Sequence, residues 1–379
     1  MINRVWLASA IAVGTLMICC ASRGGIAVKK NFTHVSAQVR LDAIRRAQVW
    51  EATDIPSMDL RKGPTGHGAF KPGETVPCKY AKKDMTGRSP KFSCTIPPDD
   101  EVKVKFGREN GEVYAEVAAT RLFWALGFPA DRMYPVRVLC DGCPPGGEAT
   151  REDGSPGIVF DPASIERKLK GRVLETEPES GWAWPELAKV DEAVGGAPHA
   201  QRDALRLLAV FVQHTDNKPA QQRLLCVDGK SDGKSEREAE GKSDGKADDE
   251  HGTCAHPVMM VNDLGQTFGR SNLFNRDAVG SVNLEEWSAA HVWSDPKLCI
   301  GALPPSQTGS LDNPRISEAG RKFLSNLLMQ LSDAQLRDLF DVSRFAQRKG
   351  GASRPATIDE WVDAFKKKRG EIASLTCPS

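Results

Sequence analysis

The spacing of apolar residues along the chain predicts short β-strands first and longer α-helices later. Short or alternating apolar runs favour strands at 76–80, 92–96, 101–106, 133–139, 157–160, 224–227 and 258–261. Apolar residues at helical spacing predict helices at 35–50, 112–126, 163–174, 199–212, 318–331, 332–340 and 358–372. This order indicates an α+β fold, with a β-rich first part that contains one strongly amphipathic helix and a mainly helical second part.

Two segments lack such periodicity. Residues 54–74 are rich in Gly, Pro and Lys, which indicates a loop. Residues 228–252 contain the hexapeptide Gly-Lys-Ser-Asp-Gly-Lys twice, and a segment of this composition cannot bury apolar surface. We therefore predict a flexible surface loop at 228–252, with its base pinned by the flanking Cys226 and Cys254.

The first 22 residues have the layout of a secretory signal peptide. Arg4 precedes an apolar stretch from Val5 to Cys20, and the small residues Ala21 and Ser22 follow it. The apolar stretch is short for a membrane span, which needs about 20 residues. We therefore expect an exported protein (secreted, periplasmic or of the secretory pathway). An uncleaved N-terminal anchor, which would be the only contact with a membrane, is the alternative.

Composition and charge narrow the function classes. The chain has 379 residues, a formal net charge of +1 and 40% hydrophobic residues, which is typical of a soluble globular protein. A nucleic-acid-binding domain is usually strongly basic, so the balanced charge argues against nucleic acid as a partner.

The cysteines that follow the leader are even in number, which favours disulfides in an exported chain. Proximity suggests a Cys78–Cys94 pair, besides the pair at the base of the low-complexity loop. Cys140 and Cys143 form a C-x-x-C motif. A local disulfide or separate pairings are favoured over a zinc site, because no second C-x-x-C completes four ligands.

A candidate catalytic loop lies between the predicted helix at 199–212 and the predicted strand at 224–227. Its residues His214-Thr215-Asp216-Asn217-Lys218, with Gln221 three further on, are similar to the kinase pattern H-R-D-x-K-x-x-N. Thr215 takes the place of the Arg, and Gln221 takes the place of the metal-binding Asn. A helix, a loop that carries an Asp and then a strand is the local architecture that this motif needs.

Lys105 and Glu116 lie where a kinase carries its phosphate-binding lysine and the glutamate that pairs with it. Val102 to Lys105 fit the V-A-I-K form on a predicted strand, whose alternation puts Lys103 and Lys105 on one face. The alternative is an edge strand with both lysines on its solvated face. Glu116 sits among alanines in the middle of the next helix, where a carboxylate is either half-exposed or paired. Glu112, at the helix start, favours the helix dipole.

Two further positions follow the kinase order. Asp263-Leu264-Gly265, after the predicted strand at 258–261, resembles D-F-G, whose Asp binds the catalytic metal. The separation of Asp216 from Asp263 is long for a kinase, but it becomes that of an ordinary two-strand hairpin once 228–252 is set aside. The turn between the strands at 76–80 and 92–96 falls where a kinase covers the phosphates, although its single Gly87 fits an ordinary hairpin equally well.

The helix at 112–126 carries a resemblance to a known family. Ala115-Glu116-Val117-Ala118-Ala119, followed by Leu126-Gly127-Phe128, resembles the A-E-[IV]-A-A and L-G-F motifs of the secretory-pathway kinases. These include the Golgi casein kinase and Four-jointed, and they are distant relatives of the HipA kinases. The resemblance runs discontinuously from about 94 to 268. It implies a two-lobed kinase-like fold, with an N-terminal extension at 23–75, a small β-rich N-lobe at 76–143 and a larger, mainly helical C-lobe at 144–379.

These positions together predict an exported atypical kinase that transfers the γ-phosphoryl group of ATP to a hydroxyl of a protein or glycan. A small-molecule acceptor fits the same residues. Asp216 would orient or deprotonate the acceptor hydroxyl, and Lys218 would neutralise charge on the transferred group.

On the nucleotide side, Lys105 would bind the phosphates of ATP and Glu116 would position it. Asp263 would hold Mg²⁺ or Mn²⁺, with help from Gln221. Two alternatives stay open at this point. One is a pseudokinase-like binding or scaffolding protein without catalysis. The other is a structural protein in which these charges only form ion pairs.

Overall fold

The structure, a computed structural model, describes residues 32–85, 87–143, 148–150, 157–176, 180–227, 254–270, 281–303, 306, 309–348 and 354–378. The chain divides into two units, 1–31 and 32–379, and the fold described below is that of the second. The predicted signal peptide and the predicted low-complexity loop lie outside the described residues.

Every predicted strand is present, and further strands lie at positions where the sequence predicted none. In chain order they are β1 (Phe32–His34), β2 (Thr75–Ala81), β3 (Lys91–Ile96), β4 (Asp100–Phe106), β5 (Arg132–Asp141), β6 (Glu148–Thr150), β7 (Ile158–Arg167), β8 (Arg172–Glu175), β9 (Gln222–Cys226), β10 (Pro257–Val261), β11 (Trp293–Asp295) and β12 (Ile300–Gly301). The helices are α1 (Ala37–Arg46), α2 (Glu112–Ala125), α3 (His199–Phe211), α4 (Leu284–Ala289), α5 (Glu318–Met329), α6 (Asp333–Val342) and α7 (Ile358–Ala373). The described part of the chain is therefore a mixed α and β structure.

Five strands of the first part close into a ring. Strand β3 is antiparallel to β2 and β4, β5 is parallel to β2, and β7 is antiparallel to both β5 and β4. Buried apolar side chains such as Val104, Val136 and Ile165 form its core. Because β4 has a partner on each side, the alternative of an edge strand with solvated lysines is wrong for this segment.

The helix predicted at 163–174 is wrong. Residues 163–167 belong to β7, where Ala163 pairs with Phe106 on β4 and with Val136 on β5. Val173 pairs with Leu225 in a second sheet, whose strand order is β1-β8-β9-β10. A short apolar pattern is compatible with either element, and here the ladders on both sides of β7 decide for the strand.

Helix α2 is buried on nearly all sides, and not on one stripe as its sequence pattern predicts. Its alanines Ala115, Ala118 and Ala119 are fully buried. The helix packs against β5 and β7 on one side and against α6 on another. Gly127, at a φ of +83°, follows the end of the helix as predicted, in a backbone conformation that favours glycine.

The second part holds the main helices. Helix α3 packs against α5, and α7 packs against α5 and α6. Strands β9 and β10 form an antiparallel pair, which confirms the hairpin predicted between the Asp216 loop and the Asp263 motif. The lobe boundary at 143 stays a prediction, and β7, which follows it, belongs to the same sheet as β2–β5.

Four disulfides link the cysteines of the described residues. Cys78–Cys94 and Cys226–Cys254 are the two predicted pairs, and Cys140–Cys143 is the local alternative for the C-x-x-C motif. The fourth disulfide, Cys299–Cys377, closes a loop with a sequence separation of 78. Within the described ranges, none of the helices is both long enough and apolar enough to cross a bilayer.

Candidate functional site

A buried ion pair between Lys105 and Glu116 lies where β4 meets α2. Lys105 Nζ is 2.6 Å from Glu116 Oε1, and the two side chains are only 1% and 4% exposed. The alternation of β4 points Lys105 toward α2, and the small buried residues of α2 let the helix approach the strand. The structure thus brings together the lysine and the glutamate that the sequence predicts as a pair.

Asp263 joins this pair from the segment after β10. Its Oδ1 lies 3.8 Å from Lys105 Nζ and accepts a hydrogen bond of 3.1 Å from the amide of Gly265. The Asp263 side chain is 25% exposed, so it is the member of this group that faces solvent most. Lys105 and Glu116 come from the consecutive elements β4 and α2, whereas Asp263 comes from a segment far along the chain.

A fourth charged residue, Glu112, was missed as a site residue in the sequence, where it was assigned to the helix dipole. Its Oε2 is 2.7 Å from Lys105 Nζ and accepts a 2.8 Å hydrogen bond from Ser89 Oγ. Its Oε1 accepts a 3.2 Å hydrogen bond from Gln266 Nε2. The available signal was the spacing, because Glu112 and Glu116 stand four residues apart and so share one face of α2.

The electrostatics of this group follow from three carboxylates around one ammonium. Burial lowers the pKa of Lys105, but the charges of Glu116, Asp263 and Glu112 outweigh this and raise it well above its ordinary value. Burial raises the pKa of Glu116 well above its usual range, against the opposing attraction of Lys105. Burial also raises the pKa of Asp263, but Lys105 outweighs that effect and holds it well below its usual range. Carboxyl groups therefore outnumber the single ammonium of Lys105, and burial favours the protonated form of Glu116.

One carboxylate oxygen of this group lacks a hydrogen-bond partner among the described residues. Glu116 Oε2 is buried and accepts no hydrogen bond from any described residue. A buried carboxylate oxygen without a partner is unfavourable, so a proton or a cation at this position would lower the energy of the site.

Two further lysines lie near Lys105. Lys91 is its cross-strand partner on β3, and burial, together with the like charge of Lys105, lowers the pKa of Lys91. Lys103, two residues before Lys105 and on the same face of β4, forms its own ion pair with Glu166 on β7. Lys91 therefore adds positive charge close to the group, whereas Lys103 has a carboxylate of its own.

The predicted catalytic loop forms a second group. Lys218 Nζ lies 3.1 Å from Asp216 Oδ1, and Gln221 Nε2 donates a 3.1 Å hydrogen bond to Asp216 Oδ2. The side chains of Asp216 and Lys218 are 31% and 37% exposed, so an acceptor molecule can reach them. Gln221 places its amide nitrogen on Asp216, which leaves only its amide oxygen for a metal.

Buried polar residues hold this loop in place. Asn217 donates to the carbonyl oxygens of His214 and Leu311, and its Oδ1 accepts from the amides of Ser310 and Leu311. Burial lowers the pKa of His214 to about 4, although the charges of Asp263 and Asp216 both raise it. His214 is therefore a neutral, buried imidazole within the loop, and both aspartates act on it electrostatically.

Backbone hydrogen bonds connect the two groups. The amide of Thr215 donates to the carbonyl oxygen of Gln266 at 3.0 Å, and the side chain of Gln266 reaches Glu112. The carbonyl oxygen of Gln221 accepts from the amides of Asn262 and Asp263, at 2.9 and 3.4 Å. The Asp216 loop and the Asp263 segment therefore keep a fixed relation to each other.

Comparisons with known proteins add little to this geometry. No protein-family model matches the chain, and no curated protein matches it. Among solved structures, the chain is similar to one described as a Helicobacter pylori proinflammatory kinase, CtkA. The identity is 10% and the TM-score 0.40, over 80% of this chain and 95% of that chain. A likeness at that level carries no argument, so the functional conclusion rests on the residues above.

Proposed function

We propose that this chain is an exported, kinase-like phosphotransferase that moves the γ-phosphoryl group of ATP to a hydroxyl of a protein or glycan. The single observation that carries the proposal is the buried Lys105–Glu116 ion pair with Asp263 beside it, 3.8 Å from the same ammonium. Phosphoryl transfer depends on positioning and on neutralising charge, and these groups supply both. The resemblance of the α2 motif to the secretory-pathway kinases belongs to this proposal.

The residues of the site fit a divalent cation. Asp263 is ionised, and carboxylate oxygen is the ligand that Mg²⁺ and Mn²⁺ prefer. The excess of carboxylates over ammonium groups favours an added cation, and Glu116 Oε2 lacks a partner among the described residues. Those residues contain no group of three or more His, Cys, Asp or Glu that is arranged to hold a metal. Asp263, with Gln221 assisting, would therefore share the ion with phosphate oxygens and water, and the bound ion would neutralise phosphate charge.

The acceptor side uses the second group. Asp216 accepts the proton of the acceptor hydroxyl while that oxygen forms a bond to the γ-phosphorus and the bond to the β-phosphate oxygen breaks. Lys218, 3.1 Å from Asp216, is placed to offset negative charge on the transferred group. The exposure of both side chains agrees with a macromolecular acceptor as well as with a small one.

A second candidate function, nucleotide binding or scaffolding without catalysis, is favoured by one observation. Gln221 stands where the kinase pattern has a metal-binding Asn, and its amide nitrogen is committed to Asp216. A site that holds its metal weakly would bind a nucleotide without turning it over.

The test combines binding and transfer. ATP binding with Mg²⁺ or Mn²⁺ is measured by calorimetry, and transfer is followed with γ-labelled ATP on protein, glycan and small-molecule acceptors. We expect Lys105→Met and Asp263→Asn to lower transfer by roughly 100-fold or more, as is usual when one charge-stabilising group is removed. The control Lys79→Met changes an exposed lysine on β2 of the same sheet. ATP binding without phosphoryl transfer would favour the non-catalytic function. The absence of both binding and transfer would refute the proposal.

A further inference from the structure

We propose that the carboxylate of Glu112 occupies an anion site formed by Ser89, Lys105 and Gln266, and that a phosphate group of the bound nucleotide takes its place. The inference deepens the proposed function and rests on it only for the identity of the natural ligand. It makes Glu112 a residue that competes with the nucleotide for Lys105.

Three donors from separate segments converge on the Glu112 carboxylate. They are Ser89 Oγ at 2.8 Å, Lys105 Nζ at 2.7 Å and Gln266 Nε2 at 3.2 Å. Hydroxyl, ammonium and amide N–H groups are the donors that also bind phosphate oxygens. Ser89 and Lys105 are buried, at 8% and 1% exposure, so water competes weakly for them.

A second ammonium group, that of Lys91, adds to the positive charge of Lys105 near the Glu112 carboxylate. Lys91 faces Lys105 directly across the β3–β4 ladder, and like charges in that position repel each other. A di- or trianionic phosphate carries more negative charge than one carboxylate, so the two lysines attract it more strongly than they attract Glu112. The same pair of lysines gives a reason for an anion to replace Glu112.

Two of the three donors of Lys105 are taken while Glu112 is in place. An ammonium group has three N–H donors, and Glu116 and Glu112 take two of them at 2.6 and 2.7 Å. The third faces Asp263 at 3.8 Å. A phosphate that binds Lys105 through more than one donor must therefore displace one of these carboxylates.

Glu112 is the carboxylate best placed to leave. It occupies the first turn of α2 and its side chain is 13% exposed, whereas Glu116 lies mid-helix at 4%. Asn110 Oδ1 accepts from the backbone amide of Glu112, so the helix start stays anchored when the side chain turns away. Movement of Glu112 would open space beside Gly265, where a Cβ atom would lie only 2.8 Å from Cγ of Glu112.

The probe for this site is inorganic tripolyphosphate, measured by calorimetry with and without MgCl₂, beside parallel titrations with ATP. Glu112→Gln keeps the shape of the side chain and removes its charge, so we expect roughly tenfold or more tighter tripolyphosphate binding. The added variant Lys105→Met in the Glu112→Gln background should abolish that gain. Glu285→Gln is the matched control, because it removes an exposed carboxylate from the first turn of α4 and should leave tripolyphosphate affinity unchanged.

The outcomes separate the two proposals. A gain with tripolyphosphate but no ATP binding supports the anion site and overturns the nucleotide function. ATP binding to the wild-type chain, with equal or weaker tripolyphosphate binding by Glu112→Gln, overturns the anion site and leaves the nucleotide function standing. If Glu112→Gln does not fold, Glu112→Asp carries the same test: it keeps the charge but withdraws the carboxylate, so an unchanged affinity would overturn the inference.

Discussion

Gly265 lies directly against Glu112: a Cβ atom at position 265 would stand 2.8 Å from Cγ of Glu112 and 3.2 Å from Asp263 Oδ1. The glycine of the Asp263-Leu264-Gly265 motif is thus a contact point between the Asp263 segment and the start of α2, beside the Gln266–Glu112 hydrogen bond. The close approach, and not the backbone angle, explains why a glycine stands here.

We expect Gly265→Ala to destabilise the fold by about 1–3 kcal/mol, because a methyl group in a packed site forces its neighbours to shift. Chemical denaturation measures the loss. The matched control is Gly370→Ala in α7, where a new Cβ meets no atom within 4 Å. That control should gain about 0.5–1 kcal/mol from better helix propensity. A Gly265→Ala variant as stable as the wild type would show that the Glu112 contact is loose.

Asn217 is the anchor of the Asp216 loop, and its replacement should be costly. Asn217→Ala leaves the carbonyl of Leu311 and the amides of Ser310 and Leu311 without these partners. We expect a loss of about 2–4 kcal/mol in the free energy of unfolding, measured with urea. Asn326→Ala, at an exposed position of α5, is the control and should be neutral or slightly stabilising. Equal effects of the two changes would contradict the anchoring role.

The buried His214 makes stability depend on pH in acid. Its pKa in the folded state is lowered from 6.5 to about 4, so the unfolded chain binds this proton more readily. Stability therefore falls as pH drops from about 6.5 to 4, and the His214 share of that loss is about 3 kcal/mol. His214→Phe cannot take up the proton, so its loss over the same range should be smaller by that amount. Unfolding in urea at pH 7, 5.5 and 4 compares the two chains, and parallel curves would refute the assignment.

The disulfides should differ in their contribution to stability. Cys299–Cys377 spans a sequence separation of 78, and Cys140–Cys143 spans 3. Replacing both cysteines by Ala should cost about 4 kcal/mol for the long loop and about 1–2 kcal/mol for the short one, since loop-closure entropy grows with length. Denaturant titration of the two double variants gives the difference. A short-loop variant that loses as much as the long-loop variant would contradict this order.

Much of the fold is readable from local sequence pattern. The strands around Lys105 and the β9–β10 hairpin follow from apolar runs and turn signals, and both disulfides chosen by proximity are present. The predictions that were wrong concern segments whose structure is decided by tertiary contacts. Residues 163–167 belong to a strand because β4 and β5 flank β7, and α2 is buried on nearly all sides because the ring and α6 cover it from two sides.

The site residues likewise fall into those that the sequence predicts and those that it does not. Lys105, Glu116 and Asp263 could be chosen from motif order, and the structure brings them together. Ser89 and Gln266 could not be chosen, because their importance lies only in pointing at Glu112 across large sequence separations. The kinase order points to the turn around Ser89 and to the motif just before Gln266, but it does not single out these two side chains.

Cys226 and Cys254 close the stem of the β9–β10 hairpin, with their Cα atoms 5.5 Å apart. The disulfide fixes the two ends of the segment that runs between these cysteines. The length of that segment can therefore change without altering how Asp216 and Asp263 are placed relative to each other. The predicted loop at 228–252 is therefore the position at which we would insert a fluorophore, an affinity tag or a whole reporter domain into this protein.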